Sequence, residues 1–246
     1  MALLELNGVS KSFGAIKAVT DVDLHVEPGE VLGLMGDNGA GKSTIVRLIA
    51  GNFLPTEGEI RVDGTAAHFH KPVDARRAGI EVVYQDLALC DNLTAAANVF
   101  LGRELKKGFG LLSYLDYPAM YAKAADLFAE LKSETRSRDL VRRMSGGQRQ
   151  AVAIARTRLS NPKIVLMDEP TAAISVRQVA EVLDLIRRLK HRGIAVLLIS
   201  HRMPDVFEVC DRVIVLRRGA KVADRPISHT SPEEVTGLIT GAIRAA

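Results

Sequence analysis

The stretch GDNGAGKST at residues 36–44 has the residue types and spacing that suit phosphate binding. It matches the P-loop pattern G-x4-G-K-S, in which glycines let successive backbone N–H groups curl around a β-phosphate. We expect Lys42 to reach the β- and γ-phosphate oxygens and Ser43 to ligate Mg2+. The candidate phosphate-binding residues are Gly36, Asp37, Asn38, Gly39, Ala40, Gly41, Lys42, Ser43 and Thr44.

Two acids end an apolar run, KIVLMDEP, at residues 163–170. An acid at the carboxyl end of a buried strand lies where open α/β sheets bind their ligands. We expect Asp168 to hold Mg2+, mostly through water, and Glu169 to polarise the attacking water as a general base. The alternative, an acid pair that caps the next helix, is the weaker interpretation beside a complete P-loop.

Three further residues are candidates whose local signal is weak. Gln85 and His201 follow the apolar runs GIEVVY and VLLIS, so both could reach a γ-phosphate or its water from the end of a strand. Taken alone, each is more often an ordinary polar residue at a strand end. Phe13, in SFGA, could stack on an adenine, although a core Phe is the better interpretation of that residue by itself.

A second glycine-rich stretch, SGGQ at residues 145–148, opens the helical-looking run RQAVAIARTRLS. Val152, Ala155 and Leu159 recur at helical spacing and predict a stripe that faces the core. The open, glycine-lined start of this helix suits an incoming phosphate. A plain helix capped by Ser145 is the alternative, and the local sequence leaves both interpretations open.

The elements around these motifs predict an α/β fold with a parallel sheet. The runs EVLGLMG, IVLMDEP, AVLLISH and DRVIVLRRG are apolar strands, and such strands are buried on both faces in parallel sheets. The run EVLDLIRRLKHRG is predicted to be a helix between two of them, with Gly193 as its C-cap. Strands dominate the first 65 or so residues, and SPEE predicts a closing helix that starts with Ser231 as N-cap and Glu234 at the third helical position.

Composition excludes several classes of protein. Of the 246 residues 47% are apolar, which is enough for a proper core, and the formal charge of +4 comes without a polybasic block. Aromatic residues make up 4% and Trp is absent, which argues against single-stranded nucleic-acid binding by stacking. The two cysteines lack the spacing of a metal site. The sequence shows no signal peptide, and its apolar runs are far shorter than the ~20 residues of a membrane helix, so we expect any membrane role to depend on a partner.

The motifs, in this order, resemble those of the ATP-binding-cassette (ABC) family. The P-loop, Gln85, SGGQ, the DEP strand and His201 occur in family order with family-like gaps, and the resemblance covers nearly the whole chain. It implies one nucleotide-binding domain over residues 1–246. This domain would have a RecA-like and antiparallel β core at residues 1–86 and 161–225, an inserted helical subdomain at 87–160, and a C-terminal tail at 226–246.

The resemblance also implies roles for the weaker candidates. Two such domains dimerise head to tail, so Ser145, Gly146, Gly147 and Gln148 of one copy would bind the ATP held by the P-loop of the other. Gln85 would sense Mg2+ and the attacking water, His201 would hold the γ-phosphate, and Phe13 would stack on the adenine. The monomer alone should then hydrolyse ATP poorly.

A narrower resemblance is to sugar importers of the ribose, xylose and fructose type, carried by QDLALCDNLTAAANVFLGRE, EPTAAIS and ISHRMPDVFEVCDRVIVLRRG. The chain is most similar to their single-cassette form, which serves fructose import and works as a homodimer. The implied partners are a second copy, membrane permease subunits that insert a short helix beside the segment after Asp86, and indirectly a periplasmic sugar-binding protein. Nucleic acid is not expected, and the implied location is peripheral, on the cytoplasmic face of the inner membrane.

Three residues depart from the usual family pattern. Met144 replaces the leucine before SGGQ, and Phe13 replaces a common tyrosine but still stacks. The loop after DEP reads Ala172-Ala173-Ile174-Ser175, so Ser175 stands where an aspartate is frequent, and communication between the two ATP sites would differ.

Two other functions compete with sugar import. One is an ABC ATPase outside transport, in DNA repair or on ribosomes, but the chain shows neither a coiled-coil insertion nor a second P-loop. The other is a nucleotide sensor without turnover, which would normally lack the base or the lysine, and here both are present.

Overall fold

The computed structural model describes residues 2–109, 112–172 and 174–243. The strands in chain order are β1 (Leu4–Phe13), β2 (Ile16–Val26), β3 (Val31–Gly36), β4 (Glu57–Val62), β5 (Thr65–Ala66), β6 (Ile80–Val83), β7 (Lys106–Lys107), β8 (Tyr114–Leu115), β9 (Ile164–Asp168), β10 (Ala195–Ile199), β11 (Arg212–Arg217) and β12 (Ala220–Pro226). The α-helices are α1 (Lys42–Ile49), α2 (Pro72–Arg77), α3 (Ala95–Val99), α4 (Tyr117–Glu130), α5 (Gly146–Arg158), α6 (Val176–His191), α7 (Met203–Val209) and α8 (Pro232–Thr240).

The central sheet has the order β12-β11-β3-β10-β9-β6. Its pairings are parallel except that β12 runs antiparallel to β11. Strand β10 is buried along its whole length, as its purely apolar sequence predicts. Because β3, β9, β10 and β6 run in the same direction, the segments that follow them meet at one edge of the sheet. The predicted α/β fold with a parallel sheet is confirmed.

A second sheet, of order β2-β1-β4-β5, is antiparallel and covers one face of α1 and the central sheet. In β1 and β2 every second residue over part of the strand faces the core, among them Leu4, Leu6, Leu24 and Val26. These side chains pack in one cluster with Leu34 of the central sheet and with residues of α1. This sheet therefore supports the helix that follows the P-loop.

Helices α6, α7 and α8 cover the opposite face of the central sheet. Helix α6 begins at Val176, five residues before the predicted start at Glu181, because Ser175 caps it in a reciprocal capping box with Gln178. The C-cap residue is Arg192, and Gly193, which was predicted as the C-cap, follows it directly with a φ of 75°.

The predicted closing helix is confirmed as α8, with Ser231 accepting a hydrogen bond from the Glu234 amide at 3.2 Å. The Glu234 carboxylate accepts from the Thr230 hydroxyl at 2.8 Å, which is one residue away from the predicted capping partner. The last three residues of the predicted tail, 244–246, lie outside the described residues.

Helices α3, α4 and α5 pack around a third apolar cluster that contains Phe100, Phe128 and Val152. This grouping fits the helical segment expected between Gln85 and the DEP strand. The sequence did not predict the short antiparallel pair β7–β8. The two strands flank residues 110 and 111, and only those two residues of this stretch lie outside the described part of the chain. Within the described part of the chain, no helix combines the length and apolar character needed to cross a membrane.

Candidate active site

The P-loop joins β3 to α1 in a backbone conformation that depends on glycine. Gly36, Gly39 and Gly41 have φ values of 153°, 79° and 102°, in the region that L side chains rarely adopt. A Cβ on Gly36 would overlap the Leu216 carbonyl oxygen, and one on Gly41 would lie 2.7 Å from the Ala18 carbonyl oxygen. Both glycines are therefore required by close backbone approach as well as by their dihedral angles.

The open end of α1 carries the P-loop lysine. The N-cap residue is Gly41, so no side chain caps the first amide groups of the helix, and its positive end faces the loop. Lys42 Nζ donates to the carbonyl oxygens of Gly36 at 2.7 Å and Asp37 at 2.9 Å. Burial lowers the pKa of Lys42, while the charges of Glu169, Asp168 and Asp37 oppose that shift. The loop residues 37–39 are exposed, so an anion has access to this end of the helix.

The two predicted acids lie at the end of β9, beside the lysine. Asp168 is the last residue of β9 and pairs in register with Ile199 of β10. Burial raises the pKa of Asp168, and the charge of Glu169 raises it further, whereas Lys42 lowers it. Ile199 also pairs in register with Leu34 of β3, the strand that leads into the P-loop, so the structure brings the P-loop and the DEP strand together.

Glu169 is held in an unusual backbone conformation and paired with His201. Its φ is 52°, in the left-handed region, which costs on the order of 1 kcal/mol for a residue with a side chain. Its amide donates to the Ile199 carbonyl at 2.9 Å. His201 Nδ1 lies 2.6 Å from Glu169 Oε2, and the carboxylate is 13% exposed while the imidazole is 66% exposed. A mostly buried carboxylate is thus joined to an accessible ring.

This pairing was not predicted, because both residues were assigned separately to the γ-phosphate or its water. The signal in the sequence was limited to the position of both residues just after apolar strands. Glu169 follows β9 directly, and His201 lies two residues beyond the end of β10. Because β9 and β10 are parallel neighbours, residues at their carboxyl ends come within hydrogen-bond distance.

Gln85 lies on the same edge of the sheet, in an exposed turn after β6. The preceding residue, Tyr84, donates its hydroxyl to Asn52 Oδ1 at 3.4 Å. Among the described residues, Gln85 makes no hydrogen bond with Asp168 or Glu169. The structure therefore places Gln85 beside the other candidates but does not join it to them.

The segment that follows Gln85 is held by the helical part of the chain. Asn98 is fully buried, accepts from the Cys90 amide at 2.7 Å and donates to the Cys90 carbonyl at 3.0 Å. Arg156 of α5 donates to the carbonyl oxygens of Asn98 at 3.1 Å and Ala88 at 3.0 Å. Sequence reasoning missed both residues, since a buried Asn and an Arg on a helix carry no local motif.

Phe13 is not a core residue. The interpretation that this residue favoured when taken by itself, a Phe buried in the core, was therefore wrong. Its side chain is 42% exposed at the end of β1. Its ring meets that of Phe53 edge to face, with 5.2 Å between centroids, and Lys11 Nζ lies 5.3 Å from the Phe13 centroid. An aromatic ring that is supported on one side and exposed on the other suits stacking by a planar base.

SGGQ forms the start of α5, with Ser145 as N-cap. The Gln148 amide donates to Ser145 Oγ at 3.3 Å, and the Ser145 amide donates to Gln148 Oε1 at 3.0 Å. The predicted stripe is confirmed, because Val152 and Ala155 are buried and Leu159 packs against the same cluster. Met144, the departure before SGGQ, also packs against this cluster. In the single chain, then, the start of α5 is a Ser-capped helix.

A cleft of about 510 Å³ lies beside SGGQ, between α5, α6 and the segment after α4. Its lining includes Ser145, Gly147, Ser175 and Gln178. None of the described residues that line it belongs to the P-loop at 36–44. The two glycine-rich motifs of one chain therefore do not share this cleft.

Residues 19–172 match the ABC transporter family. The chain belongs to the ABC transporter family. The prediction of the family is confirmed, and with it the prediction that this ABC cassette is an ATPase.

Curated relatives match this ABC cassette along nearly its whole length. The xylose/arabinose import ATP-binding protein XylG of Sulfolobus acidocaldarius is 42% identical, covering 97% of this chain and 94% of that protein. The fructose import ATP-binding protein FrcA of Rhizobium meliloti is 43% identical, covering 98% and 94%. The ribose import ATP-binding protein RbsA 2 of Burkholderia pseudomallei is 41% identical over 97% of this chain, but only 46% of that protein is covered.

Solved structures show the same fold. A nucleotide-free ATP-binding cassette from an ABC transporter is 26% identical with a TM-score of 0.82, covering 98% of this chain and 96% of that chain. The dimeric structure of a bacterial ABC transporter cassette, MJ0796, is 26% identical with a TM-score of 0.77, covering 91% and 98%. The predicted ABC cassette fold is confirmed.

Proposed function

We propose that this chain is the ATP-hydrolysing subunit of an importer for a monosaccharide of the fructose, ribose or xylose type. The contact between His201 and Glu169 beside the P-loop is the observation that carries the hydrolytic part. The sugar part rests on relatives that are named for xylose, arabinose, fructose and ribose import. Two of them match over 94% of their own length, so the resemblance is to single-cassette proteins.

ATP would bind with its phosphates on the P-loop and its adenine on the exposed face of Phe13. Lys42 would exchange its contacts with the loop carbonyls for contacts with the β- and γ-phosphate oxygens. The remaining residues of 36–44 would supply backbone amides, and the positive end of α1 would face the same charge. Gly39 supports this binding mode, because no other atom occupies the space where a Cβ of this residue would stand.

The residues present fit Mg2+. Ser43 and Asp168 offer a hydroxyl and a carboxylate, which are the hard oxygen donors that Mg2+ prefers. The described residues contain no cluster of three or more His, Cys, Asp or Glu side chains, and Mg2+ in nucleotide sites usually takes one or two protein ligands plus phosphates and waters. Bound there, Mg2+ would neutralise charge on the transferred phosphoryl group. Gln85, in its exposed turn, would sense the ion and the water.

Glu169 would take the proton of the attacking water. Its carboxylate is largely shielded from solvent and is oriented by the Nδ1 atom of His201. The other ring nitrogen of His201 would donate to the γ-phosphate when the ring is doubly protonated. One side chain would thus align both the base and the group under attack.

SGGQ would act on the ATP of a second copy of the chain. Within one chain the cleft beside Ser145 contains no P-loop residue, and a related cassette has been solved as a dimer. The free amides of Gly146 and Gly147, with the Ser145 hydroxyl, would close over the γ-phosphate and exclude water.

Complementation between two inactive variants tests this arrangement. Ser145→Arg places a long side chain at an exposed position of SGGQ, and Lys42→Ala removes the P-loop lysine of the other chain. Each variant alone should be inactive, and the mixture should regain about a quarter of the wild-type turnover, since half of randomly formed dimers are mixed and each holds one intact site. A mixture as inactive as its components would show that both motifs serve one nucleotide in the same chain.

Transport requires membrane partners, which we propose to be permease subunits and, indirectly, a periplasmic sugar-binding protein. A cleft of about 180 Å³ lies between α2, β6, the turn at Gln85 and Arg103, and it would receive a side chain projected by a short helix of the permease. The chain would then lie peripherally on the cytoplasmic face of the inner membrane. It would form one domain, with its core at residues 1–86 and 161–225, its helical subdomain at 87–160 and its C-terminal tail at 226–246. Copurification with a permease from membranes tests this assignment.

A further inference from the structure

The first turns of α5 and α6 use the same capping device and lie against each other. Both begin with the pattern Ser-x-x-Gln, SGGQ at Ser145 and SVRQ at Ser175. In α6 the Ser175 amide donates to Gln178 Oε1 at 2.9 Å, which fixes the position of the Gln178 amide group. The shared cleft described above is lined by both of these turns.

Gln178 fills the space beside the SGGQ glycines. A Cβ on Gly147 would lie 2.9 Å from Gln178 Nε2 and 3.0 Å from Gln178 Cγ, closer than real Cβ atoms can approach without movement. A Cβ on Gly146 would lie 3.6 Å from Gln178 Oε1 and 3.6 Å from Ile174 Cγ2. The Gln178 side chain therefore packs directly on the backbone of SGGQ, and it does so because those positions lack side chains.

The two residues Thr171 and Ala172, between Glu169 and α6, each make a hydrogen bond. The Ala172 amide donates to the Glu169 carbonyl at 3.1 Å. Thr171 is buried and donates its hydroxyl to Asp205 of α7 at 2.6 Å. Thr171 and Ala172 are thus held in place directly after Glu169.

We infer that Gln178 is a positioning residue for the phosphate-binding face of SGGQ. It holds the backbone of Gly146 and Gly147 against α6, and so sets where their amides point when SGGQ meets the ATP on the partner chain. The inference rests on the proposed function, in which SGGQ works in trans. Its consequence is specific: Gln178 of one chain controls the ATP site of the other chain.

Single-site dimers separate this role from a merely structural one. One chain carries Ser145→Arg and supplies the working P-loop, and the other carries Lys42→Ala and supplies the working SGGQ. Gln178→Ala on the Lys42→Ala chain should lower kcat roughly tenfold, because the amides lose their orientation. The same change on the Ser145→Arg chain lies beside an SGGQ that is already blocked, and it should alter kcat by less than about twofold.

Two further variants decide what the side chain does. Gln178→Met keeps a side chain of similar length against Gly147 but cannot accept from the Ser175 amide, so it should restore at least about half of the lost activity. Arg187→Ala, on the SGGQ-supplying chain, removes a surface side chain of α6 that pairs with Glu208 and does not line the SGGQ cleft, and it should leave kcat unchanged. Loss of the Ser175–Gln178 cap costs only about 1 kcal/mol, so each variant is expected to fold.

The outcomes are distinct. A loss confined to the SGGQ-supplying chain and repaired by Gln178→Met supports the inference. Equal losses in both placements, no loss in either, or a Met variant as impaired as the Ala variant would overturn it while the parental mixture stays active. A parental mixture without activity would instead overturn the trans arrangement of the proposed function, and the inference with it.

Discussion

Replacing Glu169 with Gln is the most direct perturbation of the proposed chemistry. The change removes one negative charge and keeps the shape of the side chain, so the amide can still contact His201 Nδ1, which lies 2.6 Å from the carboxylate. The backbone contact to Ile199 is unaffected because it uses the Glu169 amide. The variant therefore isolates the ability of this position to accept a proton.

The expected loss of turnover follows from the role of Glu169 as the general base. A positioned general base contributes about 10²–10⁴-fold, or roughly 3–5 kcal/mol of transition-state stabilisation. ATP binding should survive, since Lys42 and the loop glycines are unchanged. Removing the Glu169 charge also removes one of the causes that raise the pKa of Asp168.

The assay pairs phosphate release with size-exclusion chromatography in ATP and Mg2+. Glu169→Gln should show turnover reduced at least about 100-fold and an ATP-dependent dimer that persists, because hydrolysis no longer reopens it. Glu59→Gln is the matched control, since that side chain is 43% exposed and lies on β4, away from the end of β9 and from the cleft beside SGGQ. Turnover of Glu169→Gln within about threefold of wild type would remove this residue from the role of base.

Three other predictions test the fold around the site. Gly36→Ala should abolish ATP binding and lower the free energy of unfolding in urea by at least about 3 kcal/mol, because the new Cβ overlaps the Leu216 carbonyl. Gly39→Ala is the control: the space around its Cβ is open, so the free energy of unfolding should fall by only about 1 kcal/mol. Arg212→Leu should lower the free energy of unfolding by about 3 kcal/mol, because it leaves two carboxylates, each 2.8 Å from the guanidinium, without their ion-pair partner. An unchanged free energy of unfolding would contradict this. Burial raises the pKa of the Cys210 thiol, so above pH ~8.5 only the unfolded state loses this proton and stability should fall. A Cys210→Ala variant should lack this component between pH 8 and 10.

Local patterns were sufficient for the elements that bear the phosphate chemistry. The run of β3 into the P-loop was predicted because an apolar strand and a glycine-rich turn each have their own sequence signal. The DEP strand and the strand before His201 were recognised for the same reason. Their convergence also followed, since parallel strands end at one edge of a sheet.

Other features depended on contacts between residues distant in sequence. The early start of α6 was missed because Ser175 resembles a loop residue until its capping box with Gln178 is formed. Phe13 taken alone favoured a place in the core, and only the family resemblance assigned it to adenine stacking; in the structure the end of β1 leaves it exposed. The attachment of Asn98 and Arg156 to the segment after Gln85 joins three separate stretches of chain.

The sequence by itself determined the family and the parallel sheet, and it predicted which residues bind phosphate and which acids act beside them, because these depend on residue types at short, fixed spacing. Only the tertiary structure decided that His201 binds Glu169, and that Gln178 packs on Gly147 of SGGQ. Such contacts are set by how strands and helices pack across the sheet, and no local pattern encodes the distance between side chains that are 31 or 32 positions apart.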